Sequence, residues 1–296
     1  MIIFIIFSLI GTLTIFVTEL ADDTYFFDEY VQRTLQQEQL FFISDIGIEA
    51  VKNILSQDKN GYDGYDEMWA KPIPIEIEEG SLSILIIDQE RYLNPNILIN
   101  DNEEELYFNT LRRLFFLANI DDYILYNIRD WIDKDTTSSG GEEDYIDYPA
   151  KNDVIDTIDE LLLIKGVTKE FFYGDEKNGI IGLKYILSPY SNGKVNVNTA
   201  PSIVLMALDE RIDASLAQDI IAYRKEHPFK TINDLNLAGV SGDIIYNIKD
   251  KKRLVDVKSQ NFLVKININL GDREYKLTAL LEKRAGKITE KWRVFY

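Results

Sequence analysis

PIPIEIEEGSLSILIIDQERYL, residues 72–93, alternates apolar and polar side chains on both sides of Gly80. A period of two broken at a glycine reads as two strands. Strand character returns only at residues 254–296. There NFLVKININL, a Gly271-Asp272 turn, REYKLTALLEK, an Ala285-Gly286 turn and TEKWRVFY read as a three-stranded meander. Residues 101–250, between the two strand regions, are mostly helical in pattern, and EEELYFNTLRRLFFLANI and DDYILYNIRDWI are amphipathic. Upstream, Phe26, Tyr30, Phe41, Ile48 and Val51 recur among Gln, Glu and Arg, a helical pattern from Tyr25 to Leu55. The order is long helix, strands, helical block, strands. The simplest architecture is an α+β domain built from both ends of the chain, residues 1–100 and 254–296, with an all-α domain inserted over 101–253.

The chain opens MIIFIIFSLIGTLTIFVT, with no charged side chain before Glu19. As a helix, eighteen residues span ~27 Å, enough for a ~30 Å hydrocarbon core. A cleaved signal peptide needs a basic n-region and a small-residue cleavage site, and neither is clear here. The flank is acidic: Glu19, Asp22, Asp23, Asp28 and Glu29 precede the first basic residue, Arg33. The positive-inside tendency puts that flank outside the cytoplasm. One long helix then runs from the membrane into a soluble domain.

Net charge over 296 residues is −18. Nucleic-acid binders draw affinity from phosphate neutralisation, so this balance argues against nucleic acid and anionic lipid and favours an extracytoplasmic protein or a cation binder. The absence of cysteine excludes disulfides, thiolate chemistry and zinc-thiolate sites. A histidine triad or His-ligated metal would have to use the single His227; in KEHPF, at a helix end before Pro228, it reads as a C-terminal cap contact. Residues 101–160 hold 17 acidic and 5 basic side chains, whereas residues 249–296 hold 6 and 13. The first half of the inserted block therefore carries most of the negative charge.

That charge peaks in DWIDKDTTSSGGEEDYIDY, residues 130–148, with seven carboxylates around a Gly140-Gly141 turn. Calcium takes six to eight oxygen ligands. Asp133-x-Asp135 matches the alternate-ligand spacing of calcium loops, and the glycine pair lets Glu143 and Asp144 face the same ion. The EF-hand pattern is absent. A solvated acidic loop is the plainer reading, and paired carboxylates also raise glycosidase chemistry, although no aromatic-lined sugar cleft is suggested. Trp131 reads as core.

KVNVNTAPSIVLMAL, residues 194–208, opens a stretch laid out as a helix-hairpin-helix (SAM-like) module. Asn198 or Thr199 suits the N-cap, Pro201 the first turn, Ile203 to Leu208 a helix, Ala214 to Arg224 a second, with Phe229 packing back. LLIKGVTKEFF (162–172) and LNLAGVSGDII (235–245) form a weak repeat. DNA-binding versions use a glycine-rich hairpin; here it is DERID, residues 209–213, with three acids and no glycine. Arg224 is expected to pair with Asp219, Glu226 or the helix's carboxyl end.

Together these segments resemble the minor pseudopilin K family of type II secretion systems. The resemblance runs through the apolar N-terminal helix, IIDQERYLNPNIL (86–98), DWIDKD (130–135) with GEEDY (141–145), DELLLIKGVT (159–168), VNVNTAP (195–201) and SQNFLVKI (259–266). Each alone is unspecific; six in the family's order are specific. The resemblance implies a pilin-like α+β fold with an inserted helical domain, no catalysis, and a place at the tip of a periplasmic pseudopilus beside the minor pseudopilins I and J. Residues 2–18 are then a single inner-membrane span, with the soluble domain in the periplasm near secreted substrates and the outer-membrane channel. It implies structural Ca2+ at Asp133, Asp135, Glu143 and Asp144, with Asp130, Glu142 and Asp147 as further candidates. Pilin-like precursors carry a short basic leader ending in Gly, which is not read here because Ile2 directly follows Met1. The early glutamate of major pilins is absent before Glu19, which fits a subunit with no partner above it. Two rivals remain: a tip subunit of a related type IV pilus or competence system that handles DNA, and a membrane-anchored hydrolase.

Overall fold

The computed structural model describes residues 1–296 except 79, 100–103, 139, 147 and 272. The chain divides into two compact units, Met1–Ala50 and Val51–Tyr296. The first is helical almost throughout: α1 runs Ile2–Gln57, with Val51–Gln57 lying in the second unit. The apolar start of α1 is fully solvent-facing and its mean hydropathy, 2.2, makes it long and apolar enough to cross a membrane. Its threonines add no unsatisfied donor, because Thr12, Thr14, Thr18 and Thr24 donate their hydroxyls to carbonyls four residues back at 2.7–3.1 Å.

In the second unit the strands are β1 (Ile73–Ile77), β2 (Gly80–Asp88), β3 (Val195–Asn196), β4 (Val255–Asp256), β5 (Asn261–Leu270), β6 (Arg273–Arg284) and β7 (Lys287–Phe295). The main sheet has the order β1-β2-β5-β6-β7, antiparallel at every pairing. The hairpin of residues 72–93 and the C-terminal meander thus form one sheet, joined at β2–β5 with Ile84 opposite Ile266. Leu82, Ile84 and Ile86 alternate with more exposed residues on β2, as do Phe262, Val264, Ile266 and Ile268 on β5. One face of the sheet is core, and Val51, Leu55 and Trp69 are buried in this unit too. Trp69 meets the Phe262 ring edge-on at 5.2 Å. Gly80 is obligatory: a Cβ there would come 1.9 Å from the carbonyl oxygen of Asn269. At the last turn Ala285 (φ 49°) and Gly286 (φ 79°) are both left-handed, as a two-residue hairpin requires.

Between β2 and β5 lie α2 (Glu104–Leu117), α3 (Tyr123–Ile132), α4 (Lys169–Tyr173), α5 (Ser202–Leu208), α6 (Ala214–Glu226) and α7 (Gly242–Tyr246), followed by a π-helical turn, Asn247–Lys251. They share one hydrophobic core reaching from Leu93 to Val257. The block is less regular than its pattern suggests, with several 3-10 turns and the short parallel pair β3–β4 among the described residues. The weak repeat is structural: each copy runs from a 3-10 turn through a left-handed glycine (Gly166, φ 86°; Gly239, φ 88°) to a short helix after Thr168 or Ser241.

Two expectations are corrected here. Neither Asn198 nor Thr199 caps α5: Pro201 holds the N-cap position, and Asn198 is buried, pairing reciprocally with the backbone N–H and carbonyl of Phe229 at 2.9 Å each. Arg224 pairs with no carboxylate among the described residues; its guanidinium donates to the carbonyls of Val197 and Ala200, both at 2.7 Å. His227 ends α6 through its backbone N–H to Tyr223 O, and Phe229 stacks on Tyr223 with ring centroids 5.5 Å apart.

Candidate metal centre

Helix α3 ends inside the acidic stretch. Its register buries Ile124, Leu125, Ile128, Trp131 and Ile132, and it also turns Asp130 inward, fully buried. Asp133 is the first extended residue, its N–H still bonded to Arg129 O at 3.0 Å. The chain doubles back at Gly140, whose φ of +114° suits only glycine. Gly141 then lies against α3 so closely that a Cβ would come 2.6 Å from the Tyr126 backbone carbonyl. This approach lets Gly141 donate its N–H to Asp130 Oδ2 at 2.9 Å, while Ser138 Oγ lies 2.9 Å from the same oxygen. Asp130 is therefore the brace on which the loop is folded.

Aromatic packing fixes the returning strand of the loop. Tyr145 and Tyr148 stack at 5.4 Å, and each meets Trp131 edge-on, at 5.2 and 6.0 Å. Trp131 donates its indole N–H to Glu160 at 2.8 Å, and Tyr148 donates its hydroxyl to Leu163 O at 2.6 Å. Trp131 is thus core, as its neighbours suggest, but it also ties DELLLIKGVT to the acidic loop.

Asp133, Asp135 and Glu143 each present one carboxylate oxygen, the three within 4.8 Å of one another. Thr137 N–H holds Asp135 Oδ1 at 2.7 Å. Glu143 Oε1 is buried and has no hydrogen-bond partner. Burial first, then the negative charges of Asp133, Asp130, Asp135 and Asp144, push the Glu143 carboxyl up to about 7. Three converging hard oxygens, one of them orphaned, fit a divalent cation of the calcium type, and the absence of nitrogen and sulfur donors argues against a softer metal. Of the other sequence candidates, Asp144 is exposed, Glu142 pairs with Lys165 at 2.6 Å, and Asp147 lies outside the described residues. The residues that sequence reasoning missed are Ser138, Gly141's N–H and Lys165; the glycine pair was their signal.

A second carboxylate group, Asp58, Asp63 and Glu67, is already served. Lys283 bonds to Asp58 and, at 3.0 Å, to Asp63. Glu67 accepts from Asn60 Nδ2, Gly64 N–H and Trp69 Nε1 at 2.8–2.9 Å.

The VNVNTAP stretch belongs to a third, buried network. Asn196 Nδ2 lies 3.0 Å from Asp63 O, 3.0 Å from Asp88 Oδ2 and 2.8 Å from Ser259 Oγ. Thr199 donates its hydroxyl to Asp88 Oδ2 at 2.5 Å, and Glu90 accepts from the side-chain and backbone amides of Asn261 at 2.8 and 3.0 Å. Three stretches distant in sequence, IIDQER, VNVNT and SQN, therefore meet at one joint.

A long apolar helix, an antiparallel sheet completed from both chain ends and a helical block between β2 and β5 define a pilin-like α+β protein with a large insertion. The family models for type II secretion system protein K match residues 92–173 and 195–256. The type II secretion system protein K of Pectobacterium carotovorum subsp. carotovorum is 22% identical over 275 residues, covering 82% of this chain and 80% of its own. The fold is shared with a chain in the crystal structure of the GspK-GspI-GspJ complex from the enterotoxigenic Escherichia coli type 2 secretion system, at 18% identity and TM-score 0.70, covering 90% of this chain and 99% of that one. Together these matches support a minor pseudopilin K of a type II secretion system.

Proposed function

We propose that this minor pseudopilin caps the tip of the pseudopilus and helps to initiate its assembly, without catalysis. The observation that carries the reading is the helical block held between β2 and β5, residues 89–260. It adds a second core to a pilin-like scaffold, bulk that suits an end position better than a repeating shaft. Residues 2–18 anchor the subunit in the inner membrane, with the rest in the periplasm. The domains are read as 1–100 and 254–296 for the pilin-like part and 101–253 for the insertion, with α5, the 209–213 turn and α6 as its helix-hairpin-helix module. Pseudopilins I and J are the proposed partners, with secreted substrates and the outer-membrane channel beyond them; nucleic acid is not. The hairpin supports the last point through its acids, since Asp209, Glu210 and Asp213 stand where phosphate contacts would be needed. Co-purification of the full chain with pseudopilins I and J should give a stoichiometric ternary complex. Failure to form one, or tight low-salt binding to duplex DNA, overturns the reading.

A structural Ca2+ is part of the same proposal. Asp133, Asp135 and Glu143 would hold it, with Asp130 folding the loop beneath and Asp144 adding negative potential. The ion would neutralise charge in the most acidic part of the insertion and fix the loop against α3. Asp130, Glu142 and Asp147 are secondary candidates.

A further inference from the structure

Two arginines at the surface of the second unit carry charge that no carboxylate neutralises. Arg224 donates only to the Val197 and Ala200 carbonyls. Arg91 lies 5.1 Å from the ring centroid of Tyr92 and 5.9 Å from that of Tyr65, and its Nε is buried without an acceptor. Arg224 lies 5.9 Å from the same Tyr65 ring. Neither arginine has an ion pair among the described residues. Burial, first, and the charge of Arg91 press the Arg224 guanidinium down to about 10, although nearby Tyr65 acts in the opposite direction. Asp88, whose charge reaches Tyr65 and Tyr92, is already taken: its Oδ1 accepts from Glu90 N–H and its Oδ2 from Asn196 and Thr199.

Half-buried like charges held together are unfavourable unless something compensates. In a chain with 50 acidic and 32 basic residues, an internal partner would be the easy solution. Tyr65, 45% exposed and fixed by its hydroxyl to Thr199 O at 2.9 Å, keeps the spot open to solvent. We propose that Arg91, Arg224 and Tyr65 form an oxyanion site that takes a carboxylate-type ligand from outside the subunit. The guanidinium fork matches two oxygens of a planar oxyanion, and the terminal nitrogens of Arg91, which no acceptor of the described residues takes, are the donors left for it while its Nε stays buried. The ligand's oxygens come either from an acidic segment of another polypeptide or from a free anion.

The test is 19F NMR of trifluoroacetate with the full chain in non-ionic detergent at constant ionic strength. Saturable broadening that acetate reverses is expected. Arg91→Gln should weaken binding about tenfold, the loss of one charge-assisted hydrogen bond, and Arg91→Lys should recover part of it. The Arg91 side chain makes no hydrogen bond in the fold, so both variants should keep the wild-type circular dichroism. Competition by a tetra-aspartate peptide more potent per carboxylate than acetate identifies a polypeptide source; stronger competition by inorganic phosphate identifies a free oxyanion. Either result upholds the site. Absence of saturable broadening, or equal binding by wild type and a folded Arg91→Gln or Arg91→Lys variant, overturns it.

Discussion

Two of the chain's carboxylate clusters are built to opposite rules. At the joint, Asp88 and Glu90 are buried, and the hydrogen bonds described reach all four of their oxygens. In the acidic loop, Asp133, Asp135 and Glu143 crowd together, and Glu143 keeps a buried oxygen with nothing to accept from. The joint is finished by the chain itself. The loop is left short of positive charge, which is the physical signature of a place for a cation.

The largest effect that could break this contrast is at the joint. Asn196→Ala strips donors from Asp63 O and Ser259 Oγ and the acceptor from Asn198 N–H, and leaves Asp88 Oδ2 with Thr199. Each orphaned buried group costs about 1–3 kcal/mol, so a total loss of about 3–5 kcal/mol is expected in urea unfolding of the full chain. A loss under about 1 kcal/mol would mean that the joint is not a satisfied network.

The loop should respond to an ion instead. Ca2+ at a hundred times its Kd adds about 2.7 kcal/mol, which corresponds to roughly 5–10 °C in Tm for a chain of this size. Chelator should reverse the shift and Glu143→Gln should remove most of it. Asn196→Ala should leave it intact, because the joint and the loop share no ligand. A Tm indifferent to Ca2+ would sink the metal proposal while leaving the fold untouched.

How legible each cluster was follows from how local it is. The loop could be read because its carboxylates are neighbours in sequence and the glycine pair announces the fold-back. The sequence already placed Glu143 ahead of Glu142, and in the fold Lys165 claims Glu142. The sheet was legible because Gly80, Gly271 and the Ala285-Gly286 turn punctuate a period of two. The joint was not: Asn198 and Thr199 look like caps because Asn and Thr satisfy helix ends, but Asn198 reaches the Phe229 backbone and Thr199 the Asp88 carboxylate, both far along the chain. Arg224 was misread for the same reason, since a local rule of ion pairing competed with carbonyls 24 and 27 residues away.

A third expectation concerns pH at the joint. Burial, and then the charge of Asp88, push the Glu90 carboxyl up to about 8 from an ordinary 4.5. The folded chain therefore holds a proton that the unfolded chain has released between those values. Its contribution to stability is full below about 4.5 and is lost as pH rises towards 8. Asp63, raised to about 6, and Glu67, raised to about 7, both chiefly by burial, act in the same direction. Glu90→Gln keeps the shape without the titration, so its stability should fall less steeply between pH 6 and 8. Parallel slopes would show that Glu90 is ionised in the fold.

The smallest effect is the sharpest on ligand identity. Asp144 acts on Glu143 only through its charge, since it is exposed and lies outside the converging trio. An exposed charge is worth about 0.2–1 kcal/mol, so Asp144→Asn should weaken Ca2+ by no more than about fivefold. Asp133→Asn removes a ligand oxygen's charge and should cost more than tenfold. Calorimetric titration of the two variants ranks them. Equal losses would draw Asp144 into the ion's coordination, and the loop would then have to close further around a bound cation than Gly140 and Gly141 hold it here.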